Sequence, residues 1–376
     1  MKYKLSDICT FTDERIAVTD LDLDNYISTE NMLQNKEGVI RSAGLPTVNQ
    51  IQAYQPGDVL ISNIRPYFKK IWYADRSGGC SNDVLVLRPK ENTYPGFLYY
   101  LLSDNAFFNY ATATAKGTKM PRGDKDAIMK YEVPNLPIGI QIKIADILSA
   151  LDAQISNNKA INNHLEQIAQ AIFKSWFVDN ASNNWKSVKL GTVIQEIRTK
   201  VKNQYLPVLS AVRTGNLVLS EEFFTKQVYS KDIGRYIVVE PNDFAYNPAR
   251  VNIGSIGINT FGFAGCVSPV YIVFRSEPEY HNFFRFFLKL PNFQEELRIR
   301  ASGSVRQSLS YDNFALIQIT YPPIDFVRKF NCYYTDIQTT LGQLKLETAC
   351  LAAIRDTLLP RLMSGKLSVT DLEDAK

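Results

Sequence analysis

At 376 residues the chain exceeds the usual size of one hydrophobic core, so two or more domains are expected. With 45% hydrophobic and 21% charged residues it is an ordinary globular composition, no apolar stretch reaches the roughly 18 residues of a spanning helix, and the start MKYKLSDICTF lacks the apolar core of a signal peptide. A cytoplasmic location without membrane contact is the expectation, and a net charge of +4 is too mild for a protein that wraps nucleic acid unaided.

In chain order, the first ~135 residues show short β-rich runs such as DVLISNI and CSNDVLVLRP, punctuated by Gly, Pro and Asn. An aromatic amphipathic helix is predicted over GFLYYLLSDNAFFNY, followed by the cationic loop KGTKMPRGDK, a short strand and a proline. From about Gly139 to Val178 the pattern changes. Ile144, Leu148, Leu151, Ile155, Asn158, Asn162, Leu165, Ala169, Ile172 and Trp176 step by four and three residues, the seam of a heptad helix. The same series then recurs, with RYIVVEPNDFAYN and PVYIVFR as strands, HNFFRFFLKLPNFQEEL as the aromatic helix and RIRASGSVRQS as the loop. A second heptad seam runs through Phe330, Tyr334, Ile337, Leu341, Leu344, Thr348, Leu351, Arg355, Leu358 and Leu362.

The recurrence is a tandem duplication. Cys80 and Cys266 lie 186 residues apart, and at that offset Tyr94 falls on Tyr280, Phe107 on Phe293, Gly117 on Gly303, Asp126 on Asp312 and Leu165 on Leu351, without a gap from about 79 to 178. Upstream the offset is 185, with Asp58 on Asp243 and Arg65 on Arg250. The expected fold is therefore α+β: two pseudo-symmetric, strand-rich mixed domains, 1–138 and 181–323, each followed by a long helical segment, 139–180 and 324–376. Neither helix can expose its apolar stripe to water, so the two are expected to pack on each other, through Ile144, Leu148, Leu151, Ile155, Leu165 and Ile172 on one and Ile337, Leu341, Leu344, Leu351 and Leu358 on the other. The sequence FNCYY and the seam position of Arg355 predict an irregular start to the second helix and a loose pairing.

Chemistry is hard to find. Five scattered cysteines without C-x-x-C spacing and two distant histidines, His164 and His281, offer no disulfide framework, metal site or imidazole catalyst. An adenine methyltransferase would need a glycine-rich loop and an Asn or Asp before Pro-Pro-aromatic. NPAR at Asn247–Arg250 lacks the second proline and the aromatic, and YPPI at Tyr321–Ile324 lacks the amide. EIRTK at Glu196–Lys200 is too little for a metal-dependent nuclease. No catalytic residue, metal ligand or cofactor is expected. The alternatives are an enzyme with its own methyltransferase or nuclease site and a helical scaffold whose terminal domains bind protein.

What remains is recognition. Two polar, cationic clusters recur at equivalent places in both halves. Arg65, Tyr67, Lys69 and Lys70 with Thr118, Lys119 and Arg122 are the nucleic-acid-contacting candidates of the first half; Arg213, Arg250, Asn252, Ser255, Ser304 and Arg306 are those of the second. Lysine and hydroxyl groups suit phosphates, and arginine pairs bidentately with guanine. Any one cluster taken alone reads as an ordinary exposed loop; the recurrence is what argues for a shared purpose.

The order of domain, helix, domain, helix, with the phrases AIFKSWFVD and TLLPRLMSGKL closing the helices, resembles the specificity subunits of type I restriction-modification enzymes over essentially the full length. The resemblance implies two target recognition domains, each reading half of a bipartite site in double-stranded DNA, and helices that pair as an antiparallel coiled-coil spacer. It also implies two methyltransferase subunits as partners, S-adenosylmethionine held by them rather than by this chain, and motor-nuclease restriction subunits. Adenine methylation and cleavage would then be partner activities.

Overall fold

The structure is a computed structural model and describes residues 3–224, 229–301 and 308–369. The chain divides into two compact units, one formed by residues 1–160 and 344–376, the other by 161–343. The boundaries fall inside both long helices, so each unit owns one half of each.

In the first unit, strands Cys9–Phe11, Val84–Pro89, Val59–Ser62 and Ile71–Tyr73 lie in that order in an antiparallel sheet. A second sheet orders Arg15–Ala17, Gln50–Tyr54, Gly78–Cys80 and Tyr26–Ile27, the last pair parallel. Val59, Leu60, Val84, Val86 and Leu87 are fully buried, as continuous β-branched and leucine runs covered on both faces require. Tyr3–Lys4 pairs with Glu132–Val133 and so draws the start of the domain to the strand that follows the cationic loop.

The predicted aromatic helix is two helices, α1 (Pro95–Ser103) and α2 (Asn105–Ala113). The break is at Asp104, whose extended backbone and side chain, accepting from Ala106 N at 3.0 Å, start a new helix instead of continuing the old one. Phe97, Phe107 and Phe108 are buried beneath the pair. Next comes α3 (Ile138–Lys174), which ends in a wider π turn over Ser175–Asp179. At about 1.5 Å per residue its 37 residues span about 56 Å.

The second unit repeats this plan. Its sheet orders Ile194–Ile197, Ile272–Ser276, Phe244–Tyr246 and Ile256–Ile258. The aromatic segment is again divided, into α4 (His281–Phe287) and α5 (Pro291–Arg300), because Pro291 favours a first helical turn and has no N–H to continue an earlier one. Helix α6 (Ile324–Met363) is a single run of 40 residues. The irregular start predicted for it does not occur: Phe330 and Tyr334 are buried, and Phe330 packs edge-on against Phe177 at 5.4 Å, so these aromatics anchor the first turns instead of disrupting them.

The heptad seams are the buried faces of α3 and α6. Ile144, Leu148, Ile155 and Leu341 are buried, and Leu151, Leu165, Ile172, Ile337, Leu344, Leu351 and Leu358 partly so. In the first unit Ile144 and Leu148 share a core with Leu359 and Leu362, and Asp152 meets Arg355, so the helices run antiparallel there.

One part of the predicted alignment is corrected. Val59 pairs with Leu87 and Phe244 with Phe274, and Thr10 pairs with Arg88 and Gln195 with Arg275. The strand after the cysteine therefore matches at an offset of 187, one residue beyond the gapless register, before the helices return to 186. An ion pair on a buried carboxylate fixes that slip in each unit. Arg88 grips Asp58 with two hydrogen bonds of 2.8 and 2.9 Å, and Arg275 grips Asp243 with two of 2.5 and 2.8 Å. Both carboxylates are buried, so each arginine must stand opposite its partner whatever the loop length between.

Candidate nucleic-acid interface

In the first unit the two clusters, more than 40 residues apart in sequence, are laced together by backbone. Lys116 and Arg122 exchange N–H···O bonds of 2.8 and 2.9 Å, closing the loop between them. Arg65 N then donates to Pro121 O at 2.8 Å and Gly123 N to Asn63 O at 2.9 Å. Two glycines make this approach possible: Gly117 at φ +96° turns the loop, and a Cβ on Gly123 would lie 2.9 Å from Asn63 Oδ1.

Arg65, Tyr67, Thr118, Lys119 and Arg122 are exposed on this surface. Arg65 stands 6.0 Å over the ring of Phe68, and Arg122 pairs with Asp83 at 2.9 Å while still 57% exposed. That acid orients Arg122 and is itself surface-accessible, so the pair is open to exchange. Lys69 reaches Asn105 Oδ1 at 2.9 Å. Lys70 turns back to Thr29 O at 2.6 Å, and its surroundings lower its pKa by desolvation; its ammonium is committed to the fold. Arg65 and Lys69 both have left-handed backbone, φ +51° and +52°, bracketing the turn Pro66–Phe68. In the second unit the position equivalent to Lys69 is Gly254, at φ +88°. A lysine kept where glycine fits is strain of the kind found at functional loops.

In the second unit Arg250 is exposed and caps the turn Val251–Ile253. Ser255 is a correction to the predicted set: it is buried, with its hydroxyl donating to Ala211 O at 3.4 Å, so it reinforces the fold instead of meeting solvent. Ser304 and Arg306 lie outside the described residues. Arg213 Nε donates to Ile253 O at 3.1 Å, on the turn that Arg250 caps, and with Asn252 it lines a cleft of about 490 Å³ that also takes in Arg285, Lys289 and Arg298. Arg298 opens the predicted loop RIRASGSVRQS, while Arg285 and Lys289 were missed because they sit on or beside the aromatic helices, where the pattern points to packing.

Among the described residues no three His, Cys, Asp or Glu side chains come together as a metal site, and no helix is long and apolar enough to cross a membrane.

Residues 1–167 match the family described as Type I restriction modification DNA specificity domain. The MjaIX specificity subunit of Methanocaldococcus jannaschii is 23% identical over 321 residues, covering 76% of this chain and 72% of its own. The HindI specificity subunit of Haemophilus influenzae is 33% identical over 189 residues, 47% of this chain and 40% of its own. In fold, the type I restriction-modification S subunit from M. genitalium superposes with a TM-score of 0.59 over 96% of both chains at 17% identity. A chain solved in work on complex assembly and conformational transition of the type I R-M system gives 0.50 over 98% of both at 18%. The family match is to a DNA specificity domain over residues 1–167, while the likeness in fold extends over 96% of the chain. The chain is thus similar to specificity subunits of type I restriction-modification systems.

Proposed function

We propose that the chain reads a bipartite site in double-stranded DNA, one half with each unit, and directs the chemistry of partner subunits without performing any itself. The observation that carries this reading is the lacing of Asn63–Arg65 to Pro121–Gly123, which presents Arg65, Tyr67, Lys119 and Arg122 on one continuous surface. Rigid backbone, guanidinium groups and an exposed aromatic suit a groove edge and its phosphates. In the second unit Arg250, Arg213 and Asn252 are the described members of the corresponding set.

The partners are two methyltransferase subunits, which hold S-adenosylmethionine and methylate adenine, and restriction subunits that cleave unmodified DNA in the same cytoplasmic complex. Mild net charge accords with electrostatic work shared among subunits. The long helices offer room for docking, since Ile161, Ile168, Leu346 and Ile354 lie outside the seam and are 36 to 75% exposed. Methylome sequencing of cells with and without this chain is the test. A two-part adenine motif that vanishes with the chain is expected; an unchanged methylome would overturn the reading. Methyl transfer to DNA by the purified chain alone would instead return it to the enzymes.

A further inference from the structure

The cleft in the second unit lies between the turn Asn252–Gly254 of the recurring cluster and the aromatic helices, and its composition calls for an anion. Arg213, Arg285, Lys289 and Arg298 line it, with Asn252 and Gln294 between, and among the described residues no acidic side chain is in its wall. Two of the four cations are only partly answered from within the fold. Arg298 pairs with Glu295 at 3.0 Å at an exposed site, and Arg285 lies 5.6 Å over the ring of Tyr334. Lys289 has its pKa lowered, first by the protein atoms that displace water around it and then by Arg285; Glu166 acts in the opposite sense and more weakly. A cation held in that way gains from a bound anion.

Glycines shape the wall. Gly215, at φ +79°, lets the Lys289 chain cross its Cα, since a Cβ there would sit 2.3 Å from Lys289 Cε. Gly254 serves by its φ of +88° instead, since a Cβ there would meet Arg213 Cγ at an ordinary contact distance of 3.5 Å. The cleft also belongs to one repeat only. At the 186-residue offset Arg285, Lys289 and Arg298 correspond to Tyr99, Ser103 and Thr112 of the first unit. Cations present in one copy and absent from the other are not needed by the shared scaffold.

We propose that this cleft is a clamp for one backbone phosphate of the recognised DNA, confined to the second unit, with Arg213 and Asn252 of the reading set turned to phosphate instead of base. The inference rests on the DNA-reading function proposed above. Lys289 and Arg285 supply charge, and Arg213, fixed by the Ile253 carbonyl, supplies direction. A phosphate contact adds affinity without sequence choice, because every nucleotide carries the same group.

The test uses the complex of this chain with its methyltransferase partner, bound to duplex DNA bearing its site, at a series of salt concentrations. Lys289→Met and Arg285→Met are expected to weaken binding about tenfold at moderate salt and to reduce the slope of log K against log salt by about one. The methylated motif is expected to stay the same, and Lys289→Arg to restore affinity. Affinity and slope unchanged in both Met variants would overturn the clamp while leaving the DNA-reading function intact. A changed motif would also overturn it, by making the cleft a base reader. Equal loss of inorganic phosphate binding and no change with DNA would overturn it in favour of a free anion. If the unsubstituted complex bound no DNA selectively, the function itself would fall first.

Discussion

Arg355, at a seam position of α6, donates from Nη1 to Asp152 Oδ1 on α3 at 2.7 Å, while Asp152 Oδ2 accepts from Tyr100 OH of α1 at 2.8 Å. One carboxylate thus joins both long helices to the aromatic helix of the first domain. The side chains of Arg355 and Asp152 are 26 and 30% exposed, so the pair is partly screened but anchored at three points.

Removing that carboxylate tests the joint. Asp152→Ala is expected to cost about 1–3 kcal/mol, since it strands a charge-assisted bond from Arg355 and one from Tyr100. Urea unfolding measures it. An unchanged midpoint would mean that apolar seam contacts alone seat the domain.

The Asp58–Arg88 and Asp243–Arg275 pairs are of similar weight. Loss of either buried carboxylate removes two charge-assisted hydrogen bonds, at about 1–3 kcal/mol, while Arg88 keeps Glu14 at 2.6 Å and Arg275 is already 46% exposed. Asp58→Ala and Asp243→Ala are each expected to lower the melting temperature by several degrees. Similar losses in the two variants, read by calorimetry, would match their equivalent places in the two sheets.

Lys69 is expected to trade stability for binding. Lys69→Gly removes a left-handed backbone cost of roughly 1 kcal/mol and restores the residue type found at Gly254. A higher unfolding midpoint together with weaker DNA binding by the assembled complex is the expected outcome. A lower midpoint would show that the Asn105 contact outweighs the strain.

Arg122→Ala is expected to weaken specific DNA binding by about 1–3 kcal/mol and to relax choice at one position of the first half-site, as loss of a bidentate base contact does. A uniform loss across all sequences would reassign Arg122 to phosphate. Competition binding with single-position variant duplexes separates the two.

Cysteine chemistry gives a pH expectation. Burial pushes the thiols of Cys9 and Cys80 up to about 12 and that of Cys266 to about 11. The folded thiols stay neutral where unfolded ones ionise, from about pH 8.5 upward. The unfolded state then binds fewer protons, so stability is unaffected below that pH and falls as pH rises through about 11 to 12. Denaturant titrations between pH 8 and 10 check this decline. Native thiol labelling should reach only the exposed Cys332 and Cys350.

The duplication, the alternation of mixed domain and long helix, and the seam residues were all written in the sequence, because each rests on spacing along the chain. Period 3.5 puts Ile144 and Leu148 on one face whatever surrounds them, and burial of that face follows. Tertiary structure alone decided which distant residues meet. The slip to an offset of 187 depends on Asp58 and Asp243 finding Arg88 and Arg275 across a sheet, a constraint carried by pairing and not by order. Whether a polar residue is a reader or a brace was decided the same way: Lys70 and Ser255 turned inward to carbonyl oxygens, while Arg65 and Arg122, far apart in sequence, were brought to one surface by the hydrogen bonds of the intervening backbone. Sequence records a side chain's chemistry and period; folding alone settles whether its polar end is spent on the protein or left for a ligand.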